Sequence, residues 1–120
     1  MSKTILIIDD DTRNIFALSA VLKSKGFQCL TATSAPEGIE LLRSHPPVAA
    51  VLMDMMMPDM DGYEAISTIK KDTQIGCTPV IAVTAKAMQG DEAKVLAAGA
   101  DAYIAKPVDV DKLLKVLSEF

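Results

Sequence analysis

The sequence is poor in aromatic residues, with no tryptophan, two tyrosines and three phenylalanines among 120 residues. Half of its residues are hydrophobic, so a buried core must be built mainly from Val, Ile, Leu, Ala and Met. No apolar stretch approaches the roughly 20 residues of a membrane-spanning helix, and the N-terminus does not resemble a secretory signal. We therefore expect one domain over residues 1–120, with a core of its own, in the cytoplasm.

Clustered positive charge is also absent. The chain has 12 Lys and Arg residues against 16 acids, a net charge of −4, which argues against a nucleic-acid-binding surface. Cys29 and Cys77 form no CxxC pair, and we expect both to be reduced, buried thiols. His45 is the only histidine and precedes two prolines, with no partner visible for a metal-binding or phosphoryl-donating role.

Short apolar runs alternate with helical stretches five times along the chain. The apolar runs predict strands at Thr4–Ile8, Gln28–Ala32, Val48–Asp54, Pro79–Thr84 and Asp101–Ala105. The intervening helices are predicted at Thr12–Lys25, from Ser34 to about Ser44, from Asp61 to about Lys71, within Ala87–Ala98, and from Asp109 onward. The second strand is the most polar and so belongs near an edge, whereas the third is the most apolar and so belongs at the centre.

Local signals mark several helix ends. Gly26 and Gly99 are typical residues just after a helix. Ser34 and Glu37 have the spacing of a capping box, and Asp109 is a typical N-cap. Alternating strands and helices indicate right-handed βαβ units, and hence a doubly wound α/β domain with a parallel sheet covered on both faces.

In such a domain, ligands bind at the carboxyl ends of the strands. Asp9 and Asp10 follow the first strand, Asp54 ends the third, Thr84 ends the fourth and Lys106 follows the fifth. We therefore expect three carboxylates, a hydroxyl and an ammonium group to share one edge of the sheet.

Three carboxylates this close together require compensating positive charge. Lys106 supplies one charge, and a divalent cation bound by oxygen ligands, Mg²⁺ above all, would supply the rest. Asp54 would then be a nucleophile for a phosphoryl group, with Lys106 neutralising the phosphoryl oxygens and Thr84 hydrogen-bonding one of them.

These residues resemble the receiver domain of bacterial two-component response regulators, and the resemblance covers nearly the whole chain. Its motifs are Asp9-Asp10, Asp54 with the following MPDMDG segment, Thr84-Ala85 and Lys106-Pro107. The resemblance implies a flavodoxin-like (βα)5 fold, with a five-stranded parallel sheet of order 2-1-3-4-5 and helices on both faces. It also implies a switch in a two-component system or phosphorelay. Such a switch is not an enzyme, since it catalyses only its own phosphorylation and dephosphorylation.

The resemblance assigns roles to individual residues. Asp54 accepts the phosphoryl group from the phosphohistidine of a histidine kinase or a histidine phosphotransfer protein. Asp10 binds Mg²⁺ directly, Asp9 acts mainly through water, and Asp54 and the backbone carbonyl of Met56 complete the ligand set. Mn²⁺ is expected to substitute for Mg²⁺.

Further roles concern the switch and its output. Thr84 and Lys106 contact the phosphoryl group, and the Lys106–Pro107 peptide is expected to be cis. Tyr103 matches an aromatic that changes rotamer when the threonine hydroxyl moves. The output surface for a downstream protein would be the fourth helix, fifth strand and fifth helix, without direct contact to nucleic acid or membrane.

The first helix has more apolar residues than one face can hold. We expect the face toward the sheet to comprise Ala17, Leu18, Val21 and Leu22. Ile15 and Phe16 would then be partly exposed near the acidic site, as a docking patch for a phosphodonor helix. The alternative is that they pack against the fifth helix.

Other interpretations of the same residues stay open. We expect caps or turn residues at Asp11, Asp59 and Asp61. The methionines of Met53–Met60 are expected to fill the core rather than to form a soft-metal site. Tyr103 could alternatively be a half-buried strand residue without a switching role. A phosphatase of the haloacid dehalogenase type would need Thr or Val where Arg13 stands. A flavodoxin-like cofactor carrier would need a phosphate cradle where the first loop is acidic.

A degenerate receiver, which can no longer be phosphorylated and acts only as an interaction module, would be expected to lack these acids, Thr84 or Lys106, and all of them are present here. The chain fits either a stand-alone response regulator or the receiver of a hybrid histidine kinase.

Overall fold

The computed structural model describes residues 3–44, 48–55, 62–84, 91–106 and 108–120. Its five strands are β1 (Thr4–Ile8), β2 (Gln28–Ala32), β3 (Ala50–Asp54), β4 (Val80–Thr84) and β5 (Ala102–Ala105). Its five helices are α1 (Thr12–Ser24), α2 (Ala35–Ser44), α3 (Gly62–Lys71), α4 (Asp91–Ala98) and α5 (Val110–Leu117). Among these described helices, none has both the length and the apolar character needed to cross a membrane.

The strands form one parallel sheet of order β2-β1-β3-β4-β5, as predicted. Its register aligns Ile8 with Met53, and Thr84 with Ala105. The polar strand β2 lies at an edge, and the apolar strand β3 lies at the centre, where all five of its residues are buried. The carboxyl ends of β1, β3, β4 and β5 therefore lie side by side.

Alternate residues of each central strand point to opposite faces, and each face carries its own helices. Leu6, Val51 and Ala82 pack with α2, α3 and α4, whereas Ile7 and Leu52 pack with α1 and α5. This three-layer arrangement buries the sheet on both sides, which explains why β1, β3 and β4 are continuous apolar runs.

Strand starts differ slightly from the predicted ones. β3 starts at Ala50 rather than Val48, β4 at Val80 rather than Pro79, and β5 at Ala102 rather than Asp101. Pro79 has no N–H to donate to a neighbouring strand, although its carbonyl accepts from Val51 N at 2.9 Å.

The predicted helix caps are confirmed at α2 and α5. The Ser34 hydroxyl accepts from Glu37 N at 3.3 Å, and the Glu37 carboxylate reaches back to Thr33 N at 3.1 Å. The Asp109 carboxylate accepts from the first turn of α5.

The two predicted helix-ending glycines are also confirmed. Gly26 and Gly99 follow α1 and α4 with φ of 93° and 116°, a conformation that favours glycine because a side chain there would be strained.

The predicted orientation of α1 was wrong in part. Its buried residues are Ile15, Leu18, Ser19 and Leu22, while Ala17 is exposed and Val21 is only half-buried. Asp11 caps α1, and Asn14 in its first turn is hydrogen-bonded to Asp9. These two contacts fix the rotation of the helix, so that the stripe of residues 15, 18, 19 and 22 faces the sheet.

Both cysteines are free thiols. Cys29 is half-buried, and burial raises the pKa of its thiol. Cys77 is exposed in the segment between α3 and β4, so the expectation that it is buried was wrong. That segment forms turns, one of them closed by a bond from Thr78 N to the Ile75 carbonyl at 3.0 Å, and the Cys77 side chain lies on its surface.

Candidate functional site

Four polar residues meet where neighbouring strands end. Asp9 directly follows β1, Asp54 and Thr84 are the last residues of β3 and β4, and Lys106 directly follows β5. Asp9, Asp54 and Thr84 are buried, with 2%, 3% and 6% of their surfaces exposed. The structure therefore brings these four predicted side chains together at one edge of the sheet.

The acids form one compact group. A carboxylate oxygen from each of Asp9, Asp10 and Asp54 lies within 4.8 Å of the others. Asp10 is exposed, unlike the two buried acids, so the group opens to solvent on the side of Asp10. These donors are hard oxygen ligands of the kind that Mg²⁺ prefers.

Lys106 joins the two buried acids. Its Nζ lies 3.4 Å from Oδ2 of Asp9 and 3.4 Å from Oδ2 of Asp54. Its backbone N–H donates to the Thr84 carbonyl at 2.6 Å, which ties the end of β5 to the end of β4. The group contains three carboxylates and one ammonium, so it retains an excess of negative charge that a divalent cation would balance.

Asp9 is held by several donors. Its Oδ1 accepts from Asp11 N at 2.9 Å, and its Oδ2 accepts from Asn14 Nδ2 at 2.5 Å. Burial raises the pKa of the Asp9 carboxyl, but the bonds from Asp11 and Asn14 and the charge of Lys106 outweigh it, leaving the pKa below its ordinary value. Asp9 is thus a carboxylate at neutral pH.

The structure adds two contributors to the group that the sequence prediction did not assign to it, the Asp11 backbone and Asn14. Asp11 was predicted to be a cap, and its carboxylate does cap α1 by accepting from Arg13 N at 3.0 Å. Its backbone N–H also serves Asp9. Asn14 gave no sequence signal beyond its position in the first turn after the acids, because a polar residue there is ordinarily solvated.

Other predicted site residues have different outcomes. Tyr103 is half-buried on β5, the strand that pairs directly with β4, which ends at Thr84. Met56, Pro107 and Asp61 lie outside the described residues, as do Asp59 and His45.

The predicted apolar patch on α1 is reduced to one residue. Phe16 is 77% exposed, the most exposed large hydrophobic residue in the described part of the chain. Ile15 is buried among the core residues beside α5, so its predicted exposure was wrong.

A lysine-lined groove runs along β5 and α5 next to the site. Its volume is about 430 Å³, and its lining includes Tyr103 and four charged residues, Lys106, Asp109, Lys112 and Lys115, with more positive than negative charge. Because Lys106 belongs to both, the groove and the acidic group share a residue.

Comparison with known proteins agrees with this geometry. Residues 5–118 match the family model of the response regulator receiver domain. The chain is 32% identical over 120 residues to the polar-differentiation response regulator DivK of Brucella ovis, covering 100% of this chain and 97% of that protein.

Two solved structures resemble the fold closely. A CheY-like response regulator receiver domain protein from Methanospirillum hungatei superposes with a TM-score of 0.88 at 34% identity, covering 99% of this chain and 93% of that one. The receiver domain of the sensor histidine kinase PA1611 from Pseudomonas aeruginosa gives a TM-score of 0.89 at 30% identity, covering 99% and 97%, and holds a magnesium ion in its active-site cleft. From its fold, its strand-end acids and these relatives, the chain belongs to the response regulator receiver domain family of two-component signalling.

Proposed function

We propose that this receiver domain takes up a phosphoryl group on Asp54 and releases it again by hydrolysis. The observation that carries the proposal is the position of Asp54, buried at the end of the central strand with the Lys106 ammonium 3.4 Å from its Oδ2. A buried strand end fixes the nucleophile, and the ammonium stabilises the negative charge that arrives with a phosphoryl group.

The reaction transfers a phosphoryl group between two nucleophiles. An Asp54 carboxylate oxygen forms a bond to phosphorus while the bond from phosphorus to the donor's imidazole nitrogen breaks. The imidazole nitrogen leaves with the electron pair and takes up a proton, and an aspartyl phosphate remains. Lys106 would contact one phosphoryl oxygen, and the buried Thr84 hydroxyl would hydrogen-bond another. The chain thus assists only reactions of its own Asp54.

The donor set fits a divalent cation. Asp9, Asp10 and Asp54 supply clustered oxygen atoms with more negative charge than Lys106 can balance. Asp10, the exposed acid, and Asp54 would bind Mg²⁺ or Mn²⁺ directly, together with the carbonyl of Met56, and Asp9 would act mainly through water. When bound, the cation neutralises charge on the phosphoryl oxygens.

His45 is the only histidine of the sequence and precedes two prolines, so we place the donor histidine outside residues 1–120. We propose a histidine kinase or a histidine phosphotransfer protein as donor, with Phe16 as an apolar contact for the donor's helix. Phe16 is exposed near the start of α1, and α1 begins at the edge of the sheet where Asp9 follows β1, so a helix bound there would lie close to that edge. Because such kinases are charged from ATP, we propose the cytoplasm as the compartment.

The output would pass through Thr84 and Tyr103 to a downstream protein. Movement of the Thr84 hydroxyl toward the phosphoryl group would leave room for Tyr103 to change rotamer, which would reshape the groove that Tyr103 lines. The lysines of this groove favour an acidic partner segment on the surface of α4, β5 and α5. We propose residues 1–120 as one receiver domain that contacts neither nucleic acid nor membrane.

Phosphorylation of the intact chain by acetyl phosphate tests the proposal. Mass spectrometry should detect a single added phosphoryl group that requires Mg²⁺ and is removed by hydroxylamine, as expected for an acyl phosphate. Asp54→Asn should lose the adduct. Asp111→Asn, which removes an exposed acid from α5, is the matched control and should keep it. An unmodified wild-type chain, or an adduct that persists in Asp54→Asn, would refute the proposal.

A further inference from the structure

The side chain of Asn14 connects α1 to the acidic group. Its Nδ2 donates to Oδ2 of Asp9 at 2.5 Å, the same oxygen that lies 3.4 Å from Lys106 Nζ. We propose that Asn14 is a positioning residue, which fixes the Asp9 carboxylate and thereby sets the affinity of the site for Mg²⁺. The inference rests on the proposed function, because it presumes that Asp9 belongs to a cation site.

The chemistry of the pair fixes the orientation of the amide. A carboxylate only accepts hydrogen bonds, so Asn14 has to present its nitrogen rather than its oxygen to Asp9. An ionised carboxylate has about four lone-pair positions. Asp11 N, Asn14 Nδ2 and Lys106 Nζ point at three of them, which leaves little freedom for the carboxylate to rotate.

The start of α1 holds Asn14 in turn. Asp11 caps the helix by accepting from Arg13 N and, at 3.4 Å, from Asn14 N. Ile15, the next residue, is buried against the sheet. The Asn14 side chain is therefore presented to Asp9 by a capped first turn whose following residue is anchored in the core.

A fixed Asp9 affects cation binding in two ways. With both of its oxygens already accepting hydrogen bonds from the protein, Asp9 is better suited to orient water around a cation than to replace that water. Because the carboxylate is already oriented, binding does not have to restrict its rotation. Loss of the outer partners of directly ligating groups typically weakens metal binding by about 10-fold to 100-fold, and for Asp9, which would act through water, we expect the lower end of that range.

Mg²⁺ affinity of variants tests the role. We expect Asn14→Ala to weaken Mg²⁺ binding by about tenfold in isothermal titration calorimetry of the intact chain. Thr12→Ala is the matched control, because Thr12 is an exposed polar residue of the same helical turn. It should bind Mg²⁺ like the wild type. Urea unfolding of each variant in the presence of a chelator measures any purely structural effect of the substitution.

The outcomes separate this inference from the proposed function. If the wild type and Asn14→Ala bind Mg²⁺ equally well, Asn14 is not a positioning residue. If Asn14→Ala is then also less stable than the wild type to urea in the presence of a chelator, Asn14 has a structural role instead. If Thr12→Ala weakens binding as much as Asn14→Ala, the effect belongs to the helix end and the inference fails. If the wild type binds no Mg²⁺, both the inference and the cation site of the proposed function are wrong.

Discussion

At the scale of single residues, Phe16 should affect phosphorylation by a protein donor but not phosphorylation by acetyl phosphate. Its side chain is 77% exposed on α1, whereas the acids that would perform the chemistry are held by other contacts. We expect Phe16→Asp to leave labelling by acetyl phosphate unchanged and to slow transfer from a phosphorylated histidine phosphotransfer domain by at least about tenfold. Loss of one buried apolar anchor at an interface costs about 1 kcal/mol or more, and a new charge adds a desolvation cost.

The control for Phe16 is the other exposed large hydrophobic residue in the described part of the chain. Leu96 on α4 is 44% exposed, and Leu96→Asp should transfer at the wild-type rate. Time courses of labelled Asp54 with each donor provide the measurement. Equal rates for Phe16→Asp and the wild type would show that the donor binds elsewhere.

The residues of the site differ in how far sequence could predict them. Asp9, Asp54 and Lys106 each stand directly at or after a strand end, so strand positions alone bring them together. Asn14 could not be predicted in the same way, because its contact with Asp9 depends on the rotation of α1. That rotation follows from the cap and from the face that is buried, which differs in part from the face that apolar spacing predicts.

At the scale of elements, the start of α3 is packed directly on the strand end that carries Asp54. A Cβ added to Gly62 would lie 2.9 Å from the backbone Cα of Met55 and 2.8 Å from its sulfur. Met55 follows Asp54, and its N–H donates to the Val83 carbonyl at 2.9 Å, so its backbone is tied to β4. In the sequence, Gly62 belongs to the MPDMDG segment and to a predicted helix start, and neither pattern predicts its close approach to Met55, which depends on how α3 packs on β3.

We expect Gly62→Ala to lower the free energy of unfolding by about 1–3 kcal/mol, the usual cost of overpacking. The same displacement should slow labelling of Asp54 by acetyl phosphate, because Met55 moves with it. Urea unfolding and the labelling rate are the two measurements. Glu64→Ala, on the exposed side of the same helical turn, should change stability by no more than about 0.5 kcal/mol. A fully stable Gly62→Ala with normal labelling would mean that α3 shifts without disturbing β3.

At the scale of the whole molecule, the sequence predicted the order and arrangement of the strands and helices better than the residues at which the strands begin. Alternating strands and helices dictate the parallel sheet, and the polar strand β2 and apolar strand β3 have the edge and central positions expected of them. The side-chain links between distant elements could not be predicted, since their partners are far apart in sequence. Arg43 in α2 and Asp72 after α3 are such a pair, 29 residues apart.

This pair makes stability depend on pH. Asp72 Oδ2 accepts from Arg43 Nη2 at 2.7 Å and Nε at 3.0 Å, while Oδ1 accepts from Gln74 N at 2.7 Å. The bonds from Arg43, and next those from the backbone, hold the pKa of Asp72 below its ordinary value. The unfolded chain therefore binds more protons than the folded one below roughly pH 4, and stability falls there as pH falls.

We expect Asp72→Asn to be less stable than the wild type at neutral pH and to lose less stability as the pH falls through the acid range. Urea unfolding at several pH values, with the wild type measured in parallel, gives both differences. Arg43→Gln should flatten the same part of the pH profile, because it removes the largest cause of the lowered pKa. The double variant should then resemble Asp72→Asn. If the free energies of unfolding of Asp72→Asn and the wild type changed in parallel with pH, the Arg43–Asp72 link between α2 and α3 would contribute nothing to the loss of stability in acid. That loss would then have to come from other groups, such as the buried Asp9.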